Sequence, residues 1–465
     1  MNSESPLTPP SASRRHFLKS SAALGTGLAV ASTLSRSALA ATNKNSKLRI
    51  FQIGVGGIGA LQRDNLTDHP MVEWAGFCDV DKYARDRMEV KFPGTFLTAD
   101  YREAFANHVD KFDAVIVDAP DFHHAPMMIT ALKHKKHVYG QKPLVHQLDE
   151  LRLMKEAMAA RPGLFTQMGN QRACLPGRMQ AVELLKTNRL GKPVEAHVWT
   201  GTVALNTYFV EPWSGLPDAM PVPPTLDWDL WNGPLTQPMP FHPERMFPRR
   251  WRAYWETGGG QLADWGCHLL DVLYFAYDLP SPEAVQTNTM QAANTGHSAY
   301  NQCTLTYPGG GKFAREKFVV HYNDSVIRPS FASLGLPPSA IASNATMIVC
   351  EEGTLVLEAN GKMEIYRKGQ LVADEPMPEV APRNHWKDWA DCCLGDVKPL
   401  WTQFDIGIRI TEPSLLAVKA TRFPGQELRW DGKAYRFTNH EEANATLLAR
   451  PYREGFAPPS LAEIG

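Results

Sequence analysis

The run from Leu48 to Val55, Leu-Arg-Ile-Phe-Gln-Ile-Gly-Val, is an apolar stretch of strand length that breaks into Gly54-Val55-Gly56-Gly57-Ile58-Gly59 ahead of a helix-like segment. Few folds are open to a chain that passes from a buried strand into a helix through glycines at this spacing. Gly54 permits the tight turn, Gly56 lets the backbone approach a pyrophosphate, and Gly59 lets the helix pack close to the strand. The N–H groups at the helix start, around Gly57 and Ile58, then face the phosphates. A second apolar run, Met71 to Cys78, ends at Asp79, 20 residues past Gly59. An acid there accepts hydrogen bonds from both adenosine ribose hydroxyls and repels a 2'-phosphate, so NAD is expected over NADP. A glycine-rich turn and a solvated aspartate account for each part alone, but not for the order strand, turn, helix, strand, Asp.

The pattern continues with a strand at Phe112 to Asp118, a loop at Ala119-Pro120-Asp121, a helix from His124 to His134 and a strand at His137 to Gly140. Such a βα array predicts parallel strands. Ligands of doubly wound sheets bind outside the carboxyl ends of the strands, and Gln141-Lys142-Pro143 stands at one of them. Lone lysines are commonly solvated, but Lys142 has a strand-end position, and a cis proline after it would fix its direction.

With 465 residues, Lys+Arg 48 against Asp+Glu 49 and 43% hydrophobic residues, the chain has the composition of a folded protein of two domains. The balanced charge offers no basic footprint for nucleic acid. Seven scattered cysteines without a C-x-x-C pair indicate neither a disulfide scaffold nor a cysteine metal site. Arg14-Arg15-His16-Phe17-Leu18-Lys19, the weakly apolar run Ala22 to Leu34 and Ala38-Leu39-Ala40 have the order of a twin-arginine export signal over residues 1–40. The apolar run is too short to span a bilayer. These features predict passage through the twin-arginine translocase and a periplasmic or extracellular protein with no membrane anchor.

After Gln167-Met168-Gly169-Asn170-Gln171 the βα rhythm breaks, which places the first domain at 41–171 and the second at 172–465. Asn170 and Gln171 fall beside the expected site and are candidate substrate contacts. Val194 to Thr200 reads as the first strand of the new domain. Residues 205–255 are rich in Pro, Trp and Arg, the mark of a functional excursion. Trp213, Trp228, Trp231, Trp251, Trp255 and Trp265 either pack locally or form a sugar platform, with Arg249, Arg250 and Arg252 as donors. Gly258-Gly259-Gly260 then opens a helix from Leu262 to Tyr277, on which Asp264 and His268 stand four apart on one face, with Asp271 a turn further. The remainder alternates strand-like runs with turns, as an open sheet would. Helices at Trp386 to Cys393 and Ile406 to Thr421 are expected to cover one face of it. No residue spacing implies a metal.

These motifs resemble the glucose-fructose oxidoreductase, inositol dehydrogenase and MocA (Gfo/Idh/MocA) family of NAD(P)-dependent enzymes. The resemblance rests on Gly54 to Gly59, Asp79, Ala119-Pro120-Asp121 with His124, Gln141-Lys142-Pro143, and the segment Gly258 to His268. It implies an α/β fold: a Rossmann doubly wound parallel sheet followed by an α+β domain with a large open, mostly antiparallel sheet. It also implies that the excursion lies over the nicotinamide, and that Pro120, His124, Gln141 and Lys142 border the cofactor. Substrate would then meet Arg252, Trp255 and the catalytic group Lys142, Asp264 and His268, with His268 as general acid/base, Asp264 orienting or sharing the proton and Lys142 polarising the same oxygen. The family triplet is usually Glu-Lys-Pro, and Gln141 leaves Lys142 without an adjacent carboxylate. The expected activity is oxidoreduction of a carbohydrate or polyol hydroxyl with a tightly held, internally recycled NAD. Two alternatives stay open, a redox-neutral NAD-dependent glycosidase and a non-catalytic sugar- and NAD-binding protein, as does assembly into a homo-oligomer.

Overall fold

Six short apolar runs pair into a parallel sheet: β1 (Leu48–Ile53), β2 (Val72–Cys78), β3 (Phe96–Thr98), β4 (Ala114–Val117), β5 (His137–Gly140) and β6 (Thr166–Met168), in the order β3-β2-β1-β4-β5-β6. The computed structural model describes residues 46–201, 205–209, 218–243, 250–290, 295–339, 341 and 344–465. The export segment at 1–40, Trp213 and Arg249 lie outside the described residues. Residues 47–465 form one compact unit.

Alternate side chains of the parallel strands enter two cores. Phe51, Ile53, Val115, Val117 and Val138 pack on one face against Ala125, Met128, Ile129 and Leu132 of the helix α4 and Leu148 and Leu151 of α5. Ile50, Ile116 and Tyr139 face the opposite core. The helices on this half are α1 (Ile58–Leu66), α2 (Lys82–Lys91), α3 (Tyr101–Asn107), α4 (His124–Lys133) and α5 (Leu148–Ala159). After α6 (Pro176–Lys186) a second sheet of ten strands begins.

The strands of the second sheet are β7 (Pro193–Trp199), β8 (Ala284–Asn288), β9 (Gln302–Pro308), β10 (Lys317–Asn323), β11 (Ala345–Cys350), β12 (Thr354–Glu358), β13 (Met363–Arg367), β14 (Gln370–Val372), β15 (Leu428–Asp431) and β16 (Arg436–Phe437). Their order is β14-β13-β12-β11-β7-β10-β9-β8-β15-β16. Only β7 and β10 pair in parallel; the other ladders are antiparallel. In β9 and β10 burial alternates residue by residue, as it does in a sheet with one covered face.

The covering elements are α7 (Gly260–Tyr277) and α9 (Phe404–Ala420), both buried along nearly their whole length. They meet at Gly266, where a Cβ would lie 2.2 Å from the Ser414 hydroxyl. The helix α8 (His385–Cys393) corrects the sequence expectation, because it returns to the first sheet instead of covering the second. Trp389, Ala390 and Cys392 pack on Ile50, Ile116 and Tyr139 and cover a face that a parallel strand set cannot leave wet. All seven cysteines are buried and unpaired.

A buried ion pair fixes α7 against α6. Arg178 bonds the Asp271 carboxylate and donates to the His268 carbonyl at 2.7 Å, and both charged side chains are almost fully buried. Removing one partner strands the other charge in the core. Asp271→Asn is therefore expected to destabilise the protein by about 3–5 kcal/mol, read from denaturant unfolding; a loss within the scatter of surface substitutions would show that the pair does not hold α7.

Candidate active site

The strand order reverses between β1 and β4, since β1 pairs with both β2 and β4. At that switch point Gly54 has φ +84°, and a Cβ on it would lie 2.7 Å from the Asp118 carbonyl. A Cβ on Gly59 would meet the Gly54 carbonyl at 2.2 Å, whereas one on Gly56 would meet nothing within 4 Å. The loop is thus packed tight behind and open in front, the shape needed for a pyrophosphate at the start of α1, where Gly57 and Ile58 stand. A cleft of about 440 Å³ runs from Gly54 and Gly56 past Asp79 and Asp118 to Pro120.

Asp79 accepts hydrogen bonds from the backbone N–H groups of Val55 and Asp81, both at 3.0 Å, and borders the cleft. Those two bonds hold it at the end of β2 where an adenosine ribose would meet it. The outer wall comes from the excursion. Asp81 and Leu226 form an antiparallel bridge, Lys82 N–H donates to the Thr225 carbonyl at 2.7 Å, and Asp227 N–H donates to the Val80 carbonyl at 3.0 Å. Pro223, Leu226, Leu230, Trp231 and Phe241 line this wall. Trp228 and Trp231 stack at 4.3 Å, and the Trp231 carbonyl lies 2.9 Å from Nε2 of His123.

This placement corrects two expectations. Residues 223–243 cover the Asp79 end of the cleft, and the excursion reaches the Lys142 end through Tyr208 near its start and Arg252 near its end. The described tryptophans do not form one platform. Trp251 lies under the Arg252 guanidinium at 4.1 Å, and Trp265 meets the His268 ring edge-on at 6.0 Å. Trp255 was expected to contact substrate; its ring instead carries the Arg422 and Lys419 side chains at 3.9 and 4.7 Å. Two neighbouring cations already occupy an electron-rich indole in this way.

At the carboxyl end of β5 the Lys142-Pro143 peptide is cis, and Lys142 projects onto α7. Its Nζ donates to the Asp264 carboxylate at 2.5 Å and to the Asp264 carbonyl at 2.8 Å. The same carboxylate oxygen, Oδ1, accepts from Arg252 Nε at 3.0 Å, and Oδ2 accepts from the Tyr208 hydroxyl at 2.5 Å. Burial alone would raise the Asp264 carboxyl, but the Lys142 and Arg252 charges hold it well below the ordinary carboxylate range. The carboxylate missing at Gln141 is thus supplied by Asp264, across from the other sheet. Gln141 itself packs against Gly169.

Asp264 and His268 share a helix, yet Asp264 spends its oxygens on Lys142, Arg252 and Tyr208. His268 is nearly buried, its Nδ1 has no partner among the described residues, and burial with the nearby Lys142 and Arg172 charges keeps the imidazole neutral. Arg172 stacks over Trp265 at 5.6 Å. His124 lies 2.7 Å from the Pro143 carbonyl and 2.9 Å from the Ala119 carbonyl, bridging the β4 and β5 loops; burial pushes it down to about 4. Asn170 is wholly buried and donates to the Cys267 carbonyl and the Asp271 carboxylate, both at 2.9 Å, so it braces α7. Gln171 next to it is half-buried, with Oε1 unpartnered among the described residues.

Tyr208 and Arg172 are site residues that the sequence reading missed, since no local pattern marks them and each reaches the centre from a short turn remote in sequence; Asp121 is read in the sequence only as part of the Ala119-Pro120-Asp121 motif and is given no role. The described residues hold no group of three or more His, Cys, Asp or Glu able to bind a metal. The glycine loop, Asp79 and the open space at Gly56 do fit a dinucleotide. In that cleft Gly54 to Gly59 would hold the pyrophosphate and Asp79 the adenosine ribose.

Residues 48–168 match the model of an oxidoreductase family's NAD-binding Rossmann fold, and residues 179–321 match the C-terminal alpha/beta domain of the same family. The chain is 28% identical over 143 residues to the uncharacterized oxidoreductase YrbE of Bacillus subtilis, which spans 30% of this chain and 40% of that protein. It is 26% identical over 160 residues to inositol 2-dehydrogenase of Rubrobacter xylanophilus, which spans 33% of this chain and 44% of that protein. The match thus covers less than half the length of either relative. Among solved structures, the WlbA dehydrogenase of Bordetella pertussis, in complex with NADH and UDP-GlcNAcA, has a TM-score of 0.58 at 16% identity, covering 83% of this chain and 98% of that one. The aldose-aldose oxidoreductase of Caulobacter crescentus, complexed with glycerol, has a TM-score of 0.57 at 16% identity, covering 83% of this chain and 100% of that one. At these identities the structures establish a shared fold.

Asp79→Ala removes the ribose acceptor and the charge that opposes a 2'-phosphate. Loss of a hydrogen bond to a charged group, about 1.5–3 kcal/mol, corresponds to roughly ten- to a hundredfold weaker NAD binding. Calorimetric titration of wild type and variant with NAD and NADP is expected to show that loss together with a narrower gap between the two dinucleotides. Equal binding of both by wild type would remove Asp79 from cofactor selection.

Proposed function

The chain belongs to the Gfo/Idh/MocA oxidoreductase family and binds NAD, and from that premise we propose that it oxidises a hydroxyl group of a carbohydrate or polyol while keeping its cofactor bound. The observation that carries this reading is the cluster at Asp264. Lys142, Arg252 and Tyr208 converge on one buried carboxylate at the end of β5, adjoining the cleft that fits the dinucleotide. Bound NAD supplies a two-electron acceptor. The chain must then remove a proton from the hydroxyl oxygen as the carbon is oxidised.

Asp264 orients Lys142 and occupies two of its N–H groups, which leaves one to reach a substrate oxygen. Lys142 is therefore the group that exchanges the proton: with its third proton released to solvent, the Nζ lone pair faces the substrate oxygen and takes the hydroxyl proton, while the neutral His268, whose Nδ1 has no partner among the described residues, accepts a hydrogen bond and positions the hydroxyl. This moves the acid/base role from the histidine to the lysine, because the carboxylate that would have supported His268 is committed elsewhere. The polar residues of the centre suit a polyhydroxylated substrate, and the sugar-related ligands of the two structural neighbours support that class.

Retention of the cofactor is supported by the wall at residues 223–243, hydrogen-bonded to the Val80 to Lys82 segment over the Asp79 end. It accords with export, which we propose from Arg14, Arg15 and the apolar run behind them. No free nicotinamide pool is expected outside the cytoplasm, so the reduced cofactor is reset in place, by a second sugar or ketone or by return of the same electrons.

Denaturing the purified mature protein is expected to release near-stoichiometric NAD, and an empty protein that turns over only with millimolar added NAD would refute retention. Incubating the holoprotein with a panel of sugars, polyols and glycosides, with products weighed by mass spectrometry, identifies the reaction; cleavage of a glycoside without net oxidation is the outcome that would replace it. Lys142→Ala is expected to lower turnover by about 10²-fold or more with NAD still bound, a larger loss than His268→Ala. The reverse ranking would return the acid/base role to His268.

A further inference from the structure

Building on the reading that the chain keeps its NAD bound, we propose that Phe456 is a wall of the adenine pocket and that Arg453 ties it to the excursion, so that the segment 450–465 holds residues 223–243 over the adenosine end of the cleft. Phe456 is almost fully buried and lines the cleft. Its place is set by the end of β3. Asp79 N–H donates to the Thr98 carbonyl at 3.2 Å, and the chain continues from there through Ala99, Asp100 and Tyr101, which also line the cleft. Arg102, the next residue, holds its guanidinium 3.7 Å from the centre of the Phe456 ring and donates to the Gly455 carbonyl at 2.9 Å. Phe456 thus stands one strand beyond the acid that would meet the adenosine ribose. Tyr101, Leu230 and Trp231, which line the cleft next to these contacts, add aromatic and aliphatic surface. Such a lining suits a planar base rather than a pyrophosphate.

Arg453 approaches the same ring, its guanidinium 4.3 Å from the centre. Its Nη1 donates to the Asp229 carboxylate at 2.6 Å, its Nη2 to the Asp229 carbonyl at 3.1 Å, and its backbone N–H to the Pro234 carbonyl at 3.0 Å. Asp229 belongs to the short helix Trp228–Asn232, which also carries Leu230 and Trp231. Three hydrogen bonds therefore fasten the excursion to the segment, and the segment is fastened in turn to the parallel half. Before the ring, Arg450 donates to the Phe122 carbonyl and the Tyr452 hydroxyl bonds Glu150 of α5. After it, Glu463 pairs with Lys133 of α4 at 3.0 Å, Arg161 donates to the Gly465 carbonyl at 2.9 Å, and Ile464 is buried.

A phenyl ring in contact with two guanidiniums cannot turn away without losing both attractions. The two charges are themselves balanced, since Arg102 pairs with Asp100 through bonds of 2.8 and 2.6 Å and Arg453 pairs with Asp229. The backbone bonds that join the excursion to the Val80 to Lys82 segment lie at residues 225–227. Beyond them, the helix that carries Leu230 and Trp231 is held down by Arg453 and by His123, which lies 2.9 Å from the Trp231 carbonyl. A base enclosed by Phe456 and this helix leaves only as the enclosure opens, so the link between Arg453 and Asp229 bears on the rate of release.

The test needs no sugar and uses added dinucleotide. A wild type that purifies empty would defeat retention, while the ratio of variant to wild type still decides the role of Phe456. Phe456→Ala removes an aromatic wall, and calorimetric titration is expected to show NAD and ADP-ribose both bound about two- to tenfold more weakly. ADP-ribose keeps the adenosine half and lacks the nicotinamide. A loss with NAD that is absent with ADP-ribose, or no loss with either, would overturn the assignment. Should Phe456→Ala not fold, the tie can be cut at side chains that are 22% and 74% exposed, with Arg453→Ala and Asp229→Ala. Each is expected to speed release of bound NADH about two- to fivefold, followed by its fluorescence after dilution into excess ADP-ribose. The double variant is expected to match Arg453→Ala alone, because both changes break one link; rates that multiply, or rates equal to wild type, would refute the tie. Hydrogen exchange of the ligand-free protein reads the same link without NAD. The amides of residues 230–233 are expected to exchange faster in Arg453→Ala, and unchanged exchange there would show that Arg453 does not hold the excursion down.

Discussion

The ion pair between Lys142 and Asp264 joins the two halves of the architecture at the point where chemistry is expected. Lys142 comes from the end of β5 in the parallel sheet, and Asp264 from α7, the helix that covers the antiparallel sheet. One carboxylate in a low-dielectric setting binds cations more strongly than it would in water, provided that its remaining lone pairs are also satisfied. Arg252 and Tyr208 satisfy them, so the pair draws both ends of the excursion into the centre. Much of the surrounding structure then serves to hold the two partners still. His124 links the loops on either side of Lys142, while Arg178, Asp271 and Asn170 brace α7 from behind.

Three buried carboxyls near the cleft are sorted by their neighbours rather than by residue type. Asp264, between two cations, is a permanent anion. Asp121 meets the same cations, but with fewer bonds to its oxygens, and rises to about 7. Asp118, at the end of β4, accepts from Gln52 at 2.9 Å, and burial likewise pushes it up to about 7. One carboxylate is thus fixed as the anion that orients Lys142, while burial raises the other two. The same logic explains why Gln141 costs the centre little: the negative charge is provided by a residue more than a hundred positions away in the chain.

The tryptophan-rich excursion divides its work. Trp228 and Trp231, stacked on each other, wall the Asp79 end of the cleft, whereas Trp251 and Trp265 support Arg252 and His268 at the other end. Trp255 belongs to neither, since it packs under Lys419 and Arg422. Indole rings give a segment with little regular secondary structure enough buried apolar surface to stay in place. At the centre beside them the Lys142, Asp264 and Arg252 side chains keep only 12, 12 and 18% of their surface exposed.

The sequence by itself determined whatever is written in local spacing. The glycines Gly54, Gly56 and Gly59 with Asp79 announce a strand, turn and helix because each position has its own steric or charge requirement, and the structure meets all four. Lys142 at a strand end, and Asp264 and His268 four apart on a helix, are legible for the same reason. The strand-like runs at β9 and β10 likewise match strands whose burial alternates residue by residue. What only the tertiary structure decided is partnership. Spacing suggested that Asp264 serves His268, yet a carboxylate bonds the strongest donors brought to it, and the fold brings Lys142, Arg252 and Tyr208. Nothing in the periodicity of α8 tells which of two sheets it covers, because an apolar face fits either; the uncovered side of the parallel sheet took it. Asp121 reads as a loop aspartate until burial beside Lys142 gives it a different proton affinity. Side-chain chemistry is fixed by the residue, but proton affinity and pairing are set by neighbours that chain order does not record.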